Sequence, residues 1–272
     1  MGIFTTNKNF TITIDPNVQW INNSMANAFH NCDHFNSPVT IPNGVTNLSD
    51  TFNNCRRFNQ PITIPNSVSN MYYTFRNCAY FNQSVNIPNS VTSLFYTFSG
   101  CTNLNKSVTI PNSVTSIAGL FQGCSKLNHP ITIPDSATYL VNVFASCTNF
   151  NQPVTIPNNA YSIDSMFNFC TKFNQSIVIP SNVKYMNYAF YRTNVKNVNI
   201  LSHNVNCFNY AFAITSPYYR LNVYVPANSV TNNSIFNAGC LRNYSRQTIT
   251  WTTNTSNNCK YNATYNIYVY WV

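Results

Sequence analysis

A β-rich repeat solenoid, closed by a cap at each end, is the fold class this chain predicts. Three observations predict it. First, residues recur at a fixed interval of 23: Phe29, Phe52, Phe75, Phe98, Phe121, Phe144, Phe167 and Phe190 never miss, and Cys32, Cys55, Cys78, Cys101, Cys124, Cys147 and Cys170 keep step three places later. Second, Asn36, Asn59, Asn82, Asn105, Asn128, Asn151 and Asn174 form one further column, and Pro42, Pro65, Pro88, Pro111, Pro134, Pro157 and Pro180, each after an isoleucine, form another. Third, each copy carries about five apolar side chains, worth roughly 1.5–3 kcal/mol apiece when buried, yet one copy alone has nothing to bury them against. Stacked copies share a continuous core, which is the physical reason for a repeat of this length.

Within a unit the elements follow in order. Val/Ile-Thr-Ile-Pro alternates, so Val39 and Ile41 point inward and Thr40 outward, as a short strand requires. Proline ends that strand because it has no N–H for the ladder. It suits the second position of a turn that Asn-Ser or Asn-Gly completes. A second extended segment, Val68 to Phe75 in one copy, directs Val68, Met71 and Phe75 to the core. The stretch Phe-x-x-Cys-x-x-Phe/Leu-Asn has three-residue spacing and predicts a tight turn or a short 3₁₀ piece.

Two versions of the unit carry a family resemblance. Phe98 to Leu104, F-x-G-C-x-x-L, followed by Val108 to Ile117, VTIPNSVTSI, resembles the BspA-like leucine-rich repeats. The F-N-Q-P form, Phe58 to Pro61 and Phe150 to Pro153, is similar to repeats of bacterial surface proteins. The resemblance spans roughly residues 25 to 240. It implies a leucine-rich-repeat right-handed superhelix of short strands and 3₁₀ turns, used for adhesion and recognition at cell surfaces. It brings no catalytic residues with it.

Departures from the period set the boundaries. Residues 1–24 predict an N-terminal cap, with Trp20 or Ile21 over the open core, because the segment up to Phe29 holds about four extra residues. Residues 25–200 are the regular repeats, and 201–245 are degenerate ones, in which VPANSV at 225–230 echoes IPNSV. Residues 246–272 change character: TITWTT and TYNIYVYWV alternate and are rich in β-formers, predicting a hairpin or edge-covering strands. Such a segment closes an otherwise unpaired edge. Because NIYVYWV has aromatics on both faces, it is also a candidate assembly surface.

Composition narrows the functional classes. Charged residues are only 7% of 272, glutamate is absent, and the formal net charge is +9. The cations are scattered, so the excess mainly reflects missing acids, and no nucleic-acid partner is expected. No apolar run approaches the roughly 18 residues that span a bilayer, so no membrane insertion is expected. The start, MGIFTTNKNF, lacks the apolar core of a secretory leader. Gly2 and Thr6 fit the short myristoylation pattern, a weak match.

Catalytic chemistry finds little support. There are no short Cys pairs of the kind zinc uses. Column neighbours would point the same way one rung apart, which disfavours disulfides. The cysteines are therefore read as core residues, with Cys240–Cys259 the one bridge to test. His30, His34, His129 and His203 are scattered; a Cys32/His34 pair is the sole nucleophile–base candidate. The asparagine column is read as inward amides that satisfy backbone groups along the stack. Phosphate-binding and nucleophile-elbow motifs are absent. No enzyme activity and no cofactor are expected.

The surface is where a solenoid binds. Tyr72 and Tyr73 in one unit stack beside Phe95 and Tyr96 in the next, and at least one of these pairs is expected to face solvent. An aromatic patch suits sugar rings or a protein contact. Two places after each cysteine, a column contains His34, Arg57, Tyr80, Asn103, Lys126, Asn149 and Lys172. Its cations suit an acidic polysaccharide, unless they only solvate an edge. The expected ligand-binding residues are therefore Tyr72, Tyr73, Phe95, Tyr96, Arg57, Lys126 and Lys172. The expected function is non-enzymatic recognition of a host-surface protein or glycan. A phage virion protein, tail- or fibre-associated, receptor-binding and without a signal peptide, fits best, with other virion subunits as partners through the C-terminal segment. The alternatives are a structural decoration or spacer subunit of a particle, and a cell-surface adhesin.

Overall fold

In a computed structural model the chain is described over residues 21–205, 210–212, 220–227, 252–254, 259–262 and 267–271. Each unit makes one turn of a solenoid, and the turns lie in register. The Val/Ile-Thr-Ile segment alternates as its sequence requires: Val39 and Ile41 are buried around exposed Thr40, and Ile62 and Ile64 around exposed Thr63. Regular parallel pairing appears on this side between β1 (Val85–Asn86) and β2 (Val108–Thr109). Proline then sits one place earlier in the following turn than its φ preference suggests. The Val68 N–H donates to Pro65 O (3.0 Å) and the Val91 N–H to Pro88 O (3.1 Å), so proline is the first residue of the turn and supplies its acceptor. The serine that follows is tied to the unit before, as in Ser67 Oγ to Val45 O (2.7 Å) and Ser113 Oγ to Val91 O (2.7 Å).

The second extended segment is shorter than expected. It is a parallel ladder one residue wide, running Ser24, Asn47, Asn70, Ser93, Ser116, Tyr139, Ser162, Tyr185. Beyond it the chain turns at once. Successive N–H groups alternate between their own turn and the next unit: Thr74 to Met71 O and Cys78 to Phe75 O, but Tyr73 to Phe95 O, Phe75 to Thr97 O and Asn77 to Ser99 O. The Phe-x-x-Cys stretch is thus a pile of tight turns, and the 3₁₀ piece among the described residues is Ile21–Asn23. The alternation needs two left-handed residues per unit. Tyr73 (φ 54°) and Asn77 (φ 57°) provide them in one copy, and Gly119 (φ 64°) and Gly123 (φ 76°) in another.

The core is a stack of rings. Phe52, Phe75 and Phe98 follow one another at 5.5 and 5.4 Å with nearly parallel planes. A parallel column, Phe35, Phe58 and Phe81, runs beside it at 5.8 and 6.0 Å. Leu104 and Leu127 interrupt that column, which resumes at Phe150 and Phe173. The column cysteines are buried as expected, and each also donates: Cys78 Sγ to Phe52 O (3.0 Å), Cys101 Sγ to Phe75 O (3.0 Å) and so on to Cys170 Sγ and Phe144 O (2.8 Å). Thr74 and Thr97 repeat the device toward Leu48 O and Met71 O.

The asparagine column differs from expectation in its direction. Its members are half-buried or exposed rather than inward. Each Oδ1 accepts the backbone N–H of the next member, as in Asn82 to Asn59 (2.8 Å) and Asn105 to Asn82 (2.9 Å). The amide still satisfies backbone along the stack, but from the flank, where its other end meets solvent.

After Phe190 one residue is lost, and the Phe190 N–H reaches Ala211 O. Here Thr193 replaces cysteine and bonds within its own turn, to Phe190 O (2.9 Å). The C-terminal sheet has the order β3 (Ile177–Ile179), β4 (Asn197–Ile200), β5 (Leu221–Val225), β8 (Ile267–Trp271), β7 (Cys259–Asn262), β6 (Thr252–Asn254). Strand β8 pairs parallel to β5, while β7 and β6 fold back antiparallel. Val269 is fully buried and Trp271 packs on the core. On the other face Tyr270 stacks on Tyr224 at 5.0 Å and takes a hydrogen bond from Arg220 Nη2 (2.7 Å). Trp20, Cys207 and Cys240 lie outside the described residues, as does the side chain of Cys259. The Cys240–Cys259 bridge therefore falls outside them too.

Candidate recognition surface

The left-handed turn positions create the first surface. A residue there projects from the pile of turns, and its neighbours one unit away project alongside. Both aromatic pairs stand outside the core: Tyr72 is 42% exposed, and Tyr73, Phe95 and Tyr96 are half-buried. They form one cluster, with Tyr72–Phe95 at 6.2 Å, Tyr73–Phe95 at 5.4 Å, Tyr73–Tyr96 at 5.8 Å and Phe95–Tyr96 at 4.6 Å. The Arg76 guanidinium lies 5.4 Å from the Tyr73 ring centre, a cation–π distance. Gly119 completes the seat, since a Cβ there would come within 2.5 Å of Tyr96 Cε1.

Two further aromatic groups escaped sequence reasoning. Tyr188 stacks on Tyr210 at 5.2 Å and meets Tyr191 at 5.8 Å, while the Arg192 guanidinium covers Phe169 (4.9 Å) and Tyr191 (5.6 Å). Nearer the one-residue ladder, Tyr161 touches Tyr139 at 5.7 Å and Tyr185 at 5.3 Å, with Lys184 Nζ 5.5 Å above its ring. A signal for the first group was present: Tyr188 belongs to the same column as Tyr73 and Tyr96. Small residues, Gly119, Asn142 and Ser165, separate the two clusters along that column.

The expected basic residues do not join the aromatics. Arg57, Lys126 and Lys172 are exposed on another flank, past the buried cysteine column. Lys126 there lines an open groove of about 510 Å³ with Tyr80, Asn82, Asn103 and Asn105, the groove ending at Asn59 and Asn149. Tyr80 is 60% exposed.

The column cysteines are not placed for nucleophilic chemistry. Cys55, Cys78, Cys101, Cys124, Cys147 and Cys170 are free thiols, and burial pushes each well above its ordinary pKa, so none offers a thiolate. Cys32 Sγ points toward His30 O, while His34 Nε2 lies 3.7 Å from Asp33 Oδ2; the candidate Cys32/His34 pair is not brought together. Among the described residues no three metal-ligating side chains converge. None of the described helices is long and apolar enough to cross a membrane.

Comparison with known proteins bears on the whole stack. A family model described as BspA type leucine rich repeat region matches in six copies, over residues 23–151, 96–218 and 141–263. The chain belongs to the BspA-type leucine-rich-repeat family. Members of this family are generally non-enzymatic and often serve adhesion or protein interaction. A leucine-rich repeat protein from Bacteroides ovatus, known from a crystal structure, is similar over 80% of this chain with 20% identity and a TM-score of 0.60. That likeness is one of fold, and this BspA-type chain covers 56% of the length of that protein. No curated protein sequence matches.

Proposed function

We propose that this BspA-type solenoid is a non-enzymatic recognition module that binds a protein or glycan surface through the aromatic face of its stacked turns. The observation that carries the reading is the cluster of Tyr72, Tyr73, Phe95 and Tyr96. Four large rings in adjacent units stand outside a core that is already filled by phenylalanine. Exposed aromatic rings bring contact area at low entropic cost, which favours recognition over stability. In its finer form the module is a virion component, tail- or fibre-associated, that contacts a host receptor; the low charge of the chain supports this. A particle decoration or spacer, or a cell-surface adhesin, is the second form. The division into cap 1–24, repeats 25–200, degenerate repeats 201–245 and closing segment 246–272 belongs to the same proposal.

The test uses the full chain against intact bacterial cells and a glycan array, beside the double variant Tyr73→Asn/Tyr96→Asn. Asparagine is chosen because Asn27 and Asn142 hold the same left-handed position in this column. Binding that falls at least about tenfold in the variant supports the aromatic face. Binding equal in both proteins, or none to any target, refutes it.

A further inference from the structure

The flank that carries Tyr80 and Lys126 has chemistry of its own. In the asparagine column the carbonyl end of each amide is committed to backbone. Asn59 Oδ1 takes the Asn82 N–H (2.8 Å), Asn82 Oδ1 takes the Asn105 N–H (2.9 Å), and Asn105 Oδ1 takes the Asn128 N–H (2.8 Å). That commitment fixes the orientation of the amides, so their Nδ2 donors are presented at one-rung intervals along the groove. No partner within the described residues takes the Nδ2 of Asn82 or Asn105, the side-chain amide of Asn103, the Tyr80 hydroxyl or Lys126 Nζ. The groove is therefore a row of preset donors beside one exposed ring.

Its charge is mostly positive: Asp33, in the Arg56 column one unit earlier, is the one acid on this flank among the described residues. The segments 56–64, 79–87, 102–110, 125–133, 148–156 and 171–179, which build this flank, contain Arg56, Arg57, Lys106, Lys126 and Lys172 and no aspartate. Arg56 approaches Asp33 at 3.5 Å, whereas Arg57, Lys106, Lys126 and Lys172 make no ion pair among the described residues. At about 4.8 Å per rung, Arg57 stands roughly 14 Å from Lys126, and Lys172 roughly 10 Å beyond it. Such spacing is far sparser than the one charge per about 1.7 Å of duplex DNA, so a nucleic acid would leave most of its phosphates unneutralised. A chain of carboxylated sugars matches better. Its hydroxyl and carboxylate oxygens accept from the amide row, some of its carboxylates meet Lys126 and its neighbours while the rest stay in solvent, and a sugar face lies against Tyr80.

We propose that this groove is a binding site for a linear anionic polysaccharide of the uronic-acid class, separate from the aromatic face. It uses no residue of that face and goes beyond the function proposed above. The two readings therefore fail independently.

The full chain is titrated by calorimetry with a hexamer of galacturonic acid, a neutral hexaglucan and a single-stranded oligonucleotide of matched charge, in about 50 mM and about 300 mM salt. The uronate is expected to bind at least about tenfold more tightly than the neutral glucan, and to weaken as salt rises. Lys126→Gln and Asn103→Ala, both at exposed or half-exposed side chains that make no bond among the described residues, are each expected to weaken uronate binding, Lys126→Gln by about tenfold. Tyr73→Asn/Tyr96→Asn is expected to bind the uronate as the wild type does. The proposal is overturned by equal binding of neutral glucan, by tighter binding of the oligonucleotide, by no binding of the uronate, or by a Lys126→Gln protein that binds unchanged. Loss of uronate binding in the aromatic variant would also overturn it, placing the ligand on the other face.

Discussion

Replacing Phe98 by alanine tests whether the units share one core. Phe98 is fully buried, with Phe75 at 5.4 Å, Phe121 at 6.0 Å and Phe81 at 6.2 Å, all stacked. A buried Phe→Ala change costs about 3–5 kcal/mol, and three ring partners place this site toward the upper end, near 4–5 kcal/mol. The Phe98 carbonyl that accepts from Cys124 Sγ is backbone and survives, so the cost is packing alone. Because contacts run only between neighbouring units, the loss is local and should uncouple the stack in its middle. Urea unfolding followed by circular dichroism should change from one transition to two, with a lower slope for each. Hydrogen exchange should quicken first at the Phe75 and Gly100 amides, which bond to Thr97 O and Gln122 O across the damaged interface. A loss below about 1 kcal/mol, with a single transition of unchanged slope, would refute a continuous core.

Two further predictions follow from other features. Gly119→Ala puts a Cβ on a residue at φ 64° and 2.5 Å from Tyr96 Cε1, so it should cost more than the roughly 1–2 kcal/mol of a left-handed alanine. In a Tyr96→Asn background the excess should vanish, and equal melting shifts in both backgrounds would show that the ring contact is not real. Alkaline pH should unfold the protein steeply under reducing conditions. The folded pKa of the six buried thiols from Cys55 to Cys170 is raised by burial, so the folded state retains protons that the unfolded state loses. Their stabilisation is complete below the unfolded value of about 8.5 and is lost above it, at about 1.4 kcal/mol per pH unit for each thiol. A pH-independent midpoint between about pH 8 and 10 would mean that the thiols are not buried.

Much of this architecture was legible because the repeat averages over many copies. A single Phe75 says little, whereas eight phenylalanines in step, all found buried, leave few alternatives. Turn geometry was less legible, although the signal existed. Asn27, Asp50, Gly119 and Asn142 share one column, and Asn31, Asn54, Asn77, Gly100 and Gly123 share another; these are the residue types that tolerate positive φ. Read by column, they mark the two left-handed positions that displace the expected longer extended segment. Tyr73, Tyr96 and Tyr188 hide that signal, since bulky residues at positive φ are uncommon. The direction of the Asn82 amide was not legible, because a half-exposed amide bonded to backbone and a buried one leave the same column in the sequence. Aromatic residues at the surface were found only where two neighbours, such as Tyr72 and Tyr73, made the unit look unusual; Tyr139 and Tyr161 have no aromatic residue next to them in sequence.

Hydrogen bonds that step from each turn to the next make the length of this molecule a counted quantity rather than a continuous one. A whole 23-mer can be added or removed with every bond re-formed one copy along. A fragment of one cannot, and the single missing residue after Phe190 coincides with the point where the thiol column ends at Thr193. The distance between the ring clusters around Tyr96 and Tyr188 is therefore adjustable in discrete steps, like the marks on a ruler, without redesigning either cluster.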